Sequence, residues 1–197
     1  MANPQLPELN VVGQQRTLQE LTRTQRRLYE QLTATRGAHQ ELASQSPVRE
    51  VLQRVIETLI REVKALEQQI RAMVKKLMPC LLDIAGVGPI VAGVLLAETA
   101  DVKRFATADH FASYCGAAPV ERGSGQNSRV QVNPGGNRRL NWALHIVAMV
   151  RLRTDGGRSR AFLDKAKSCG KTQRAGLRVL KTYIARELFR AMRHGDV

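Results

Sequence analysis

LLDIAGVGPIVAGVLLAE, residues 81–98, is the stretch on which the reading of this chain turns. An apolar helical segment runs into Gly86-Val87-Gly88, and Pro89 opens a second helix through Ala92, Leu95 and Leu96. Glycines at 86 and 88 permit a tight turn with positive φ and the close approach of another backbone. Proline suits the first position of a helix, where its missing N–H would have had no partner. The pattern is that of a helix-hairpin-helix. The free N–H groups at the start of its second helix, with the helix dipole behind them, would attract a phosphate. Such a contact reads backbone and not bases, so it predicts binding with little sequence preference. The same hairpin can also serve purely as a packing joint, and both readings stand at this level.

Upstream the texture differs. Leu52, Ile56, Leu59, Val63, Leu66, Ile70, Met73 and Leu77 alternate spacings of four and three, an a/d heptad seam flanked by Arg54, Glu57, Glu62, Lys64 and Glu67. A weaker helical seam precedes it over residues 14–43, where Leu18, Leu21, Leu28, Leu32 and Leu42 are interrupted by Gln25, Thr35 and His39. Pro47 separates the two, because proline neither continues a helix nor leaves its predecessor free to be helical. The pair predicts an antiparallel coiled-coil hairpin over residues 13–79, its helices pairing with one another or with a second copy. One helix of an ordinary bundle is the alternative for the stronger seam. Residues 1–12, with two prolines and no period, read as a disordered leader. After Met78-Pro79 the composition shifts to Gly, Ala and Val, which places a domain boundary there and a compact helical domain over residues 80–197.

Downstream, FASYCGAAP at 111–119 predicts a short helix and turn, with Phe105, Phe111, Ala112 and Tyr114 in the core. Then come ERGSG at 121–125, Gln126-Asn127-Ser128-Arg129, a brief Val-Gln-Val strand, and NPGGNRRL at 133–140. Serine is a poor nucleophile unless a base or a metal activates it and cations steady the charge that develops at phosphorus. Ser124 lies between glycines that would let its loop close onto a backbone. Arg122, Arg129, Arg138 and Arg139 could fork onto phosphate oxygens. Asn137 is placed to cap the helix that begins near Arg138. A Gly-Ser-Gly on its own is a flexible turn, and composition does not make Ser124 catalytic. Three further helices are expected over residues 137–153, 159–168 and 172–193, the last with Arg174, Arg178, Lys181, Arg186, Arg190 and Arg193 turned outward.

The charge is lopsided. The chain of 197 residues carries 31 basic and 17 acidic side chains, a formal charge of +14, and residues 151–197 alone hold 13 basic against 4 acidic. Cations gathered on one region are the footprint of a polyphosphate partner, because each one that neutralises a phosphate releases condensed counterions. An anionic membrane surface is the rival, but no bilayer-spanning run, signal peptide or aromatic-anchored amphipathic helix accompanies the charge. Cys80, Cys115 and Cys169 form neither a disulfide framework nor a zinc knuckle, which points to a reducing cytoplasm. No clustered carboxylates or histidines offer a metal site, so none is assigned.

The ordered series GVGP, LLAE, RF, FASYCGAAP, SG and GN..L resembles the C-terminal domain of bacterial insertion-sequence transposases that carry a RuvC-like, DEDD-type N-terminal domain. These are also described as bridge-RNA-guided serine recombinases. The resemblance covers about residues 80–193, and the helices before it resemble the family's coiled-coil insertion. It implies that Ser124, at the SG motif, attacks DNA and forms a phosphoserine intermediate, with Ser128 the alternative if the loop is shifted. It implies DNA and a guide RNA as partners, and Mg2+ held by an acidic N-terminal domain that is absent here; the heptad seam itself predicts a homo-oligomer joined through the coiled coil. The chain therefore reads as a truncated or split transposase, mainly α, with a coiled-coil hairpin, a helix-hairpin-helix and a short β excursion. Nucleic-acid contacts are expected at Gly86, Gly88, Arg122, Arg129, Arg138 and Arg139. The alternative is a non-enzymatic helix-hairpin-helix module that binds DNA or dimerises.

Overall fold

A computed structural model describes residues 6–122, 129–132 and 135–195. Two long helices come first, α1 (Leu6–Glu41) and α2 (Pro47–Leu77), and they pack against one another. Pro47 stands at the start of α2, where it costs no hydrogen bond, and Lys75 and Lys76 lie in its last turn, where the dipole favours cations. Ile56, Val63 and Ile70, alternate members of the heptad seam, are buried, while Leu52, Leu59, Leu66, Met73 and Leu77 are half-buried. On α1, Leu18 and Leu32 are buried, together with Thr22 and Gln25. Near the turn that joins the helices, Val48, Val51 and Val55 of α2 are exposed. Helix α1 begins at Leu6, inside the segment read as a leader, with Pro7 tolerated in its first turn.

The segment ahead of Gly86 is a single 3-10 turn, Pro79–Asp83, and not the α-helix expected there. Pro79 lacks the N–H to continue α2, and five residues are too few to repay the cost of nucleating an α-helix. Helix α3 (Pro89–Thr99) follows and is apolar around its circumference until Glu98: Val91, Ala92, Gly93, Val94, Leu95 and Ala97 are all buried, and so is Thr99. A helix of this kind must be surrounded, and α1, α2 and α5 enclose it. Gly93 makes the enclosure possible. A Cβ there would sit 2.7 Å from Ile70 Cγ2 and 3.1 Å from Thr22 Cγ2.

A second 3-10 turn (Val102–Arg104) and the short helix α4 (Ala108–Tyr114) bring Phe105 and Phe111 edge to face at 5.3 Å. Phe105, Phe111 and Ala112 are buried as expected, and Tyr114 is half-buried. The β excursion is a hairpin with two strands: β1 (Pro119–Arg122) pairs antiparallel with β2 (Arg129–Val132), with Pro119 opposite Val132 and Arg122 opposite Arg129. Helices α5 (Arg138–Thr154), α6 (Arg158–Ser168) and α7 (Gln173–His194) complete the chain. The core is continuous from Leu18, Ile70 and Val74 through Leu95 and Phe111 to Leu144, Ile184 and Met192, and it runs across Pro79 without a break.

Candidate nucleic-acid interface around the serine hairpin

The two ends of the β hairpin are fastened to each other. Gly136 lies against Gly116, so a Cβ added at Gly136 would fall 2.6 Å from the Gly116 nitrogen and nearer still to its Cα. Gly116 itself has φ +67°, a left-handed conformation that glycine adopts without strain. Beside this contact the Asn137 N–H donates to the Tyr114 carbonyl at 2.7 Å.

Two polar clusters tie these roots to the helices. In the first, Glu98 near the end of α3 accepts hydrogen bonds from Asn137 Nδ2 at 2.9 Å and Arg139 Nη1 at 2.7 Å. Asn137 Oδ1 accepts from the N–H groups of Arg139 and Leu140, capping α5 as its sequence predicts. Arg139 Nη2 also donates to Thr22 Oγ1 of α1 at 3.0 Å. The Glu98 and Arg139 side chains are only 9% and 17% exposed. Burial lowers the Arg139 pKa; Glu98 acts in the opposite sense, and Arg23 and Arg26 push it lower.

In the second cluster Asn141 of α5 donates from Nδ2 to the carbonyls of Cys115 (3.1 Å) and Gly116 (2.8 Å) and accepts from Lys181 Nζ at 2.6 Å. Thr182 Oγ1 donates to the Ala117 carbonyl at 2.9 Å. The bend before β1 leaves carbonyls that need donors in a buried setting, and side chains of α5 and α7 supply them. Lys181, expected on the outward face, is therefore buried. Desolvation lowers its pKa and the Arg178 charge lowers it further, while Cys115 opposes both. Burial in turn pushes the Cys115 thiol far above its ordinary range, although Lys181 draws it back somewhat. Cys115 is no thiolate nucleophile at neutral pH.

The glycine turn divides its two glycines. Gly86 has φ +86°, and a Cβ there would stand 3.0 Å from the Val147 carbonyl of α5. Arg151 Nε donates to the Ala85 carbonyl at 2.8 Å, and its two terminal nitrogens grip Glu187 of α7 at 2.8 and 2.9 Å. This side of the turn is a packing joint. Gly88 is in extended backbone at φ −89°, so positive φ is required at Gly86 alone. Gly88 is exposed, and a Cβ there would meet nothing within 4 Å.

Of the other residues singled out by sequence, Ser124 and Ser128 lie outside the described residues, in the segment 123–128 that joins β1 to β2. Arg122 and Arg129 stand opposite one another where that segment leaves and rejoins the strands. Arg138 is exposed in the first turn of α5, whereas Arg139 is held by Glu98 and Thr22. Among the described residues no three His, Cys, Asp or Glu side chains come together as a metal site. Glu98, at the hairpin root, has both carboxylate oxygens engaged by Asn137 and Arg139. The described donor set does not fit a magnesium ion. Nor, among the described residues, is any helix long and apolar enough to cross a membrane.

Residues 78–164 match the family model described as Transposase IS116/IS110/IS902 family. The chain is 37% identical over 135 residues to the insertion element IS110 uncharacterized 43.6 kDa protein of Streptomyces coelicolor, an alignment that covers 67% of this chain and 33% of that protein. It is 34% identical over 136 residues to the insertion element IS900 uncharacterized 42 kDa protein of Mycobacterium paratuberculosis, covering 64% of this chain and 34% of the relative. The chain thus spans about a third of the length of these curated relatives. The matched region takes in both roots of the hairpin, the segment between its strands and all of α5.

Proposed function

We propose that this chain is the serine-bearing C-terminal part of an insertion-sequence transposase, which binds DNA and takes part in strand cleavage and exchange during DNA transposition. The observation that carries the reading is the anchored hairpin. The segment holding Ser124 is joined to strands whose roots are locked by Gly116 against Gly136, by Glu98 and by Asn141, all within the region that matches a transposase family. A nucleophile needs such support, because small misplacements of a reacting group cost large factors in rate. In the proposed chemistry Ser124 Oγ attacks a DNA phosphate. An Oγ–P bond forms, one P–O bond to a sugar oxygen breaks, that oxygen leaves as a hydroxyl, and the strand is held as a phosphoserine until another hydroxyl displaces the serine. Ser128 is the alternative nucleophile. The Mg2+ that the resemblance implies belongs to an acidic domain and to none of the residues described here.

Around that site Arg122, Arg129 and Arg138 are proposed phosphate contacts, and open Gly88 is proposed as the point where a nucleic-acid backbone approaches the turn ahead of α3. Arg139 contributes by holding the root. A guide RNA is the second nucleic-acid partner. The exposed Val48, Val51 and Val55 of α2 support pairing of the coiled coil with a second copy. The test is Ser124→Ala in a strand-exchange assay with the acidic domain supplied. Exchange should vanish while duplex DNA affinity changes less than about threefold, or 0.7 kcal/mol. Equal loss of binding would make Ser124 structural and favour the non-enzymatic module. Undiminished exchange would move the nucleophile to Ser128.

A further inference from the structure

We propose that the cleft between the end of α5, one face of α6 and the start of α7 is a second nucleic-acid site, which takes an unpaired nucleotide of a single strand. The inference rests on the reading of this chain as a protein that handles nucleic acid, but it uses none of the hairpin residues. The cleft has a volume of about 500 Å³, within the usual range of small-ligand sites. Four cations converge on it, Arg153, Arg160, Lys167 and Lys171, against one carboxylate, Asp164.

Their convergence without a protein partner is the telling feature. Arg139, Arg151, Lys181 and Arg186 each have a protein partner, respectively Glu98, Glu187, Asn141 and Asp109. The four cations of the cleft are exposed, and none has a side-chain hydrogen bond or ion pair among the described residues. Like charges gathered on one concavity repel, so their arrangement is relieved by an anionic occupant. The floor beneath them is aliphatic, formed by Met149, Leu152 and Leu163. Its wall stands close because α7 carries glycine at 176. A Cβ there would lie 3.2 Å from Leu163 Cδ2 and 3.3 Å from Ala166 Cβ.

An aliphatic floor beneath a cationic rim matches a nucleotide, with the base on Leu152 and Leu163 and the phosphate among the arginines and lysines. Guanidinium planes at Arg153 and Arg160 could also stack on a splayed base. A duplex fits less well: it presents a convex phosphate surface and keeps its bases inside, so the aliphatic floor would remain uncovered.

The experiment is a fluorescence-anisotropy titration of the full chain with a labelled oligothymidine, an oligouridine and a mixed-sequence duplex of equal length. The cleft variant Arg160→Glu/Lys167→Glu is compared with Arg190→Glu/Arg193→Glu, the same charge change at exposed positions elsewhere on α7. Circular dichroism melts verify that both variants fold. The cleft variant should lose at least about tenfold in single-strand affinity and flatten the salt dependence by about 1.4 in log–log slope, the loss of two phosphate contacts. Its duplex affinity should match that of the control variant. Equal losses of single-strand affinity in the two variants, or an equal loss for single strand and duplex, would overturn the site in favour of general charge attraction. Either of those results leaves the Ser124 strand-exchange test untouched, so the two proposals fail separately.

Discussion

Arg138 and Arg139 are adjacent in the chain and meet different surroundings. Arg138 is exposed, while Arg139 is nearly enclosed and bridges Glu98 to Thr22 of α1. Their replacements should therefore separate binding from stability. Arg138→Ala is expected to leave the melting temperature within a degree or two while the log–log salt slope for duplex DNA falls by about 0.9. Arg139→Ala strands a buried carboxylate and is expected to cost about 3 kcal/mol, read by urea denaturation. A stable Arg139→Ala protein that loses only DNA affinity would contradict the structural role. Lys181 makes the same point in a run of apparently outward cations. Helical periodicity places it near the edge of the core stripe, and Asn141 on α5, 40 residues away, draws it inside.

At the scale of elements, α3 and the β hairpin depend on close backbone approach. Gly93→Ala would drive a methyl group into Ile70 and Thr22, separating α3 from both α1 and α2. The expected cost is about 1–3 kcal/mol in urea denaturation, the usual range for overpacking. At the hairpin root the obstruction at Gly136 is Gly116 backbone, which cannot swing away as a side chain can. Gly136→Ala should abolish strand exchange at temperatures where far-ultraviolet circular dichroism is unchanged. Retained exchange would show that the roots need not touch.

At the scale of the whole molecule, one core links the α1–α2 pair to the helices that carry the hairpin. The α1–α2 pair should therefore not melt on its own. Helix content followed by circular dichroism and the fluorescence of Trp142 are expected to report one coincident transition. Two separated transitions would divide the molecule near Pro79. Much of this architecture is legible in local sequence. The heptads of α2, the proline that opens α3, the asparagine that caps α5 and the aromatic core beside α4 each depend on neighbours within a turn or two of helix. The basic imbalance and the ordered motifs likewise follow from the chain alone. Only the tertiary structure decides which glycine of the turn needs positive φ, that Arg139 belongs to Glu98, that Lys181 is buried, and that four unpaired cations share one cleft. The first three of those outcomes join residues about 40 or more positions apart, and the fourth requires three helices to pack around one cleft. Hydrophobic spacing specifies which face of a helix is buried, but a polar partner is fixed only when the packed helices bring two side chains within hydrogen-bonding distance.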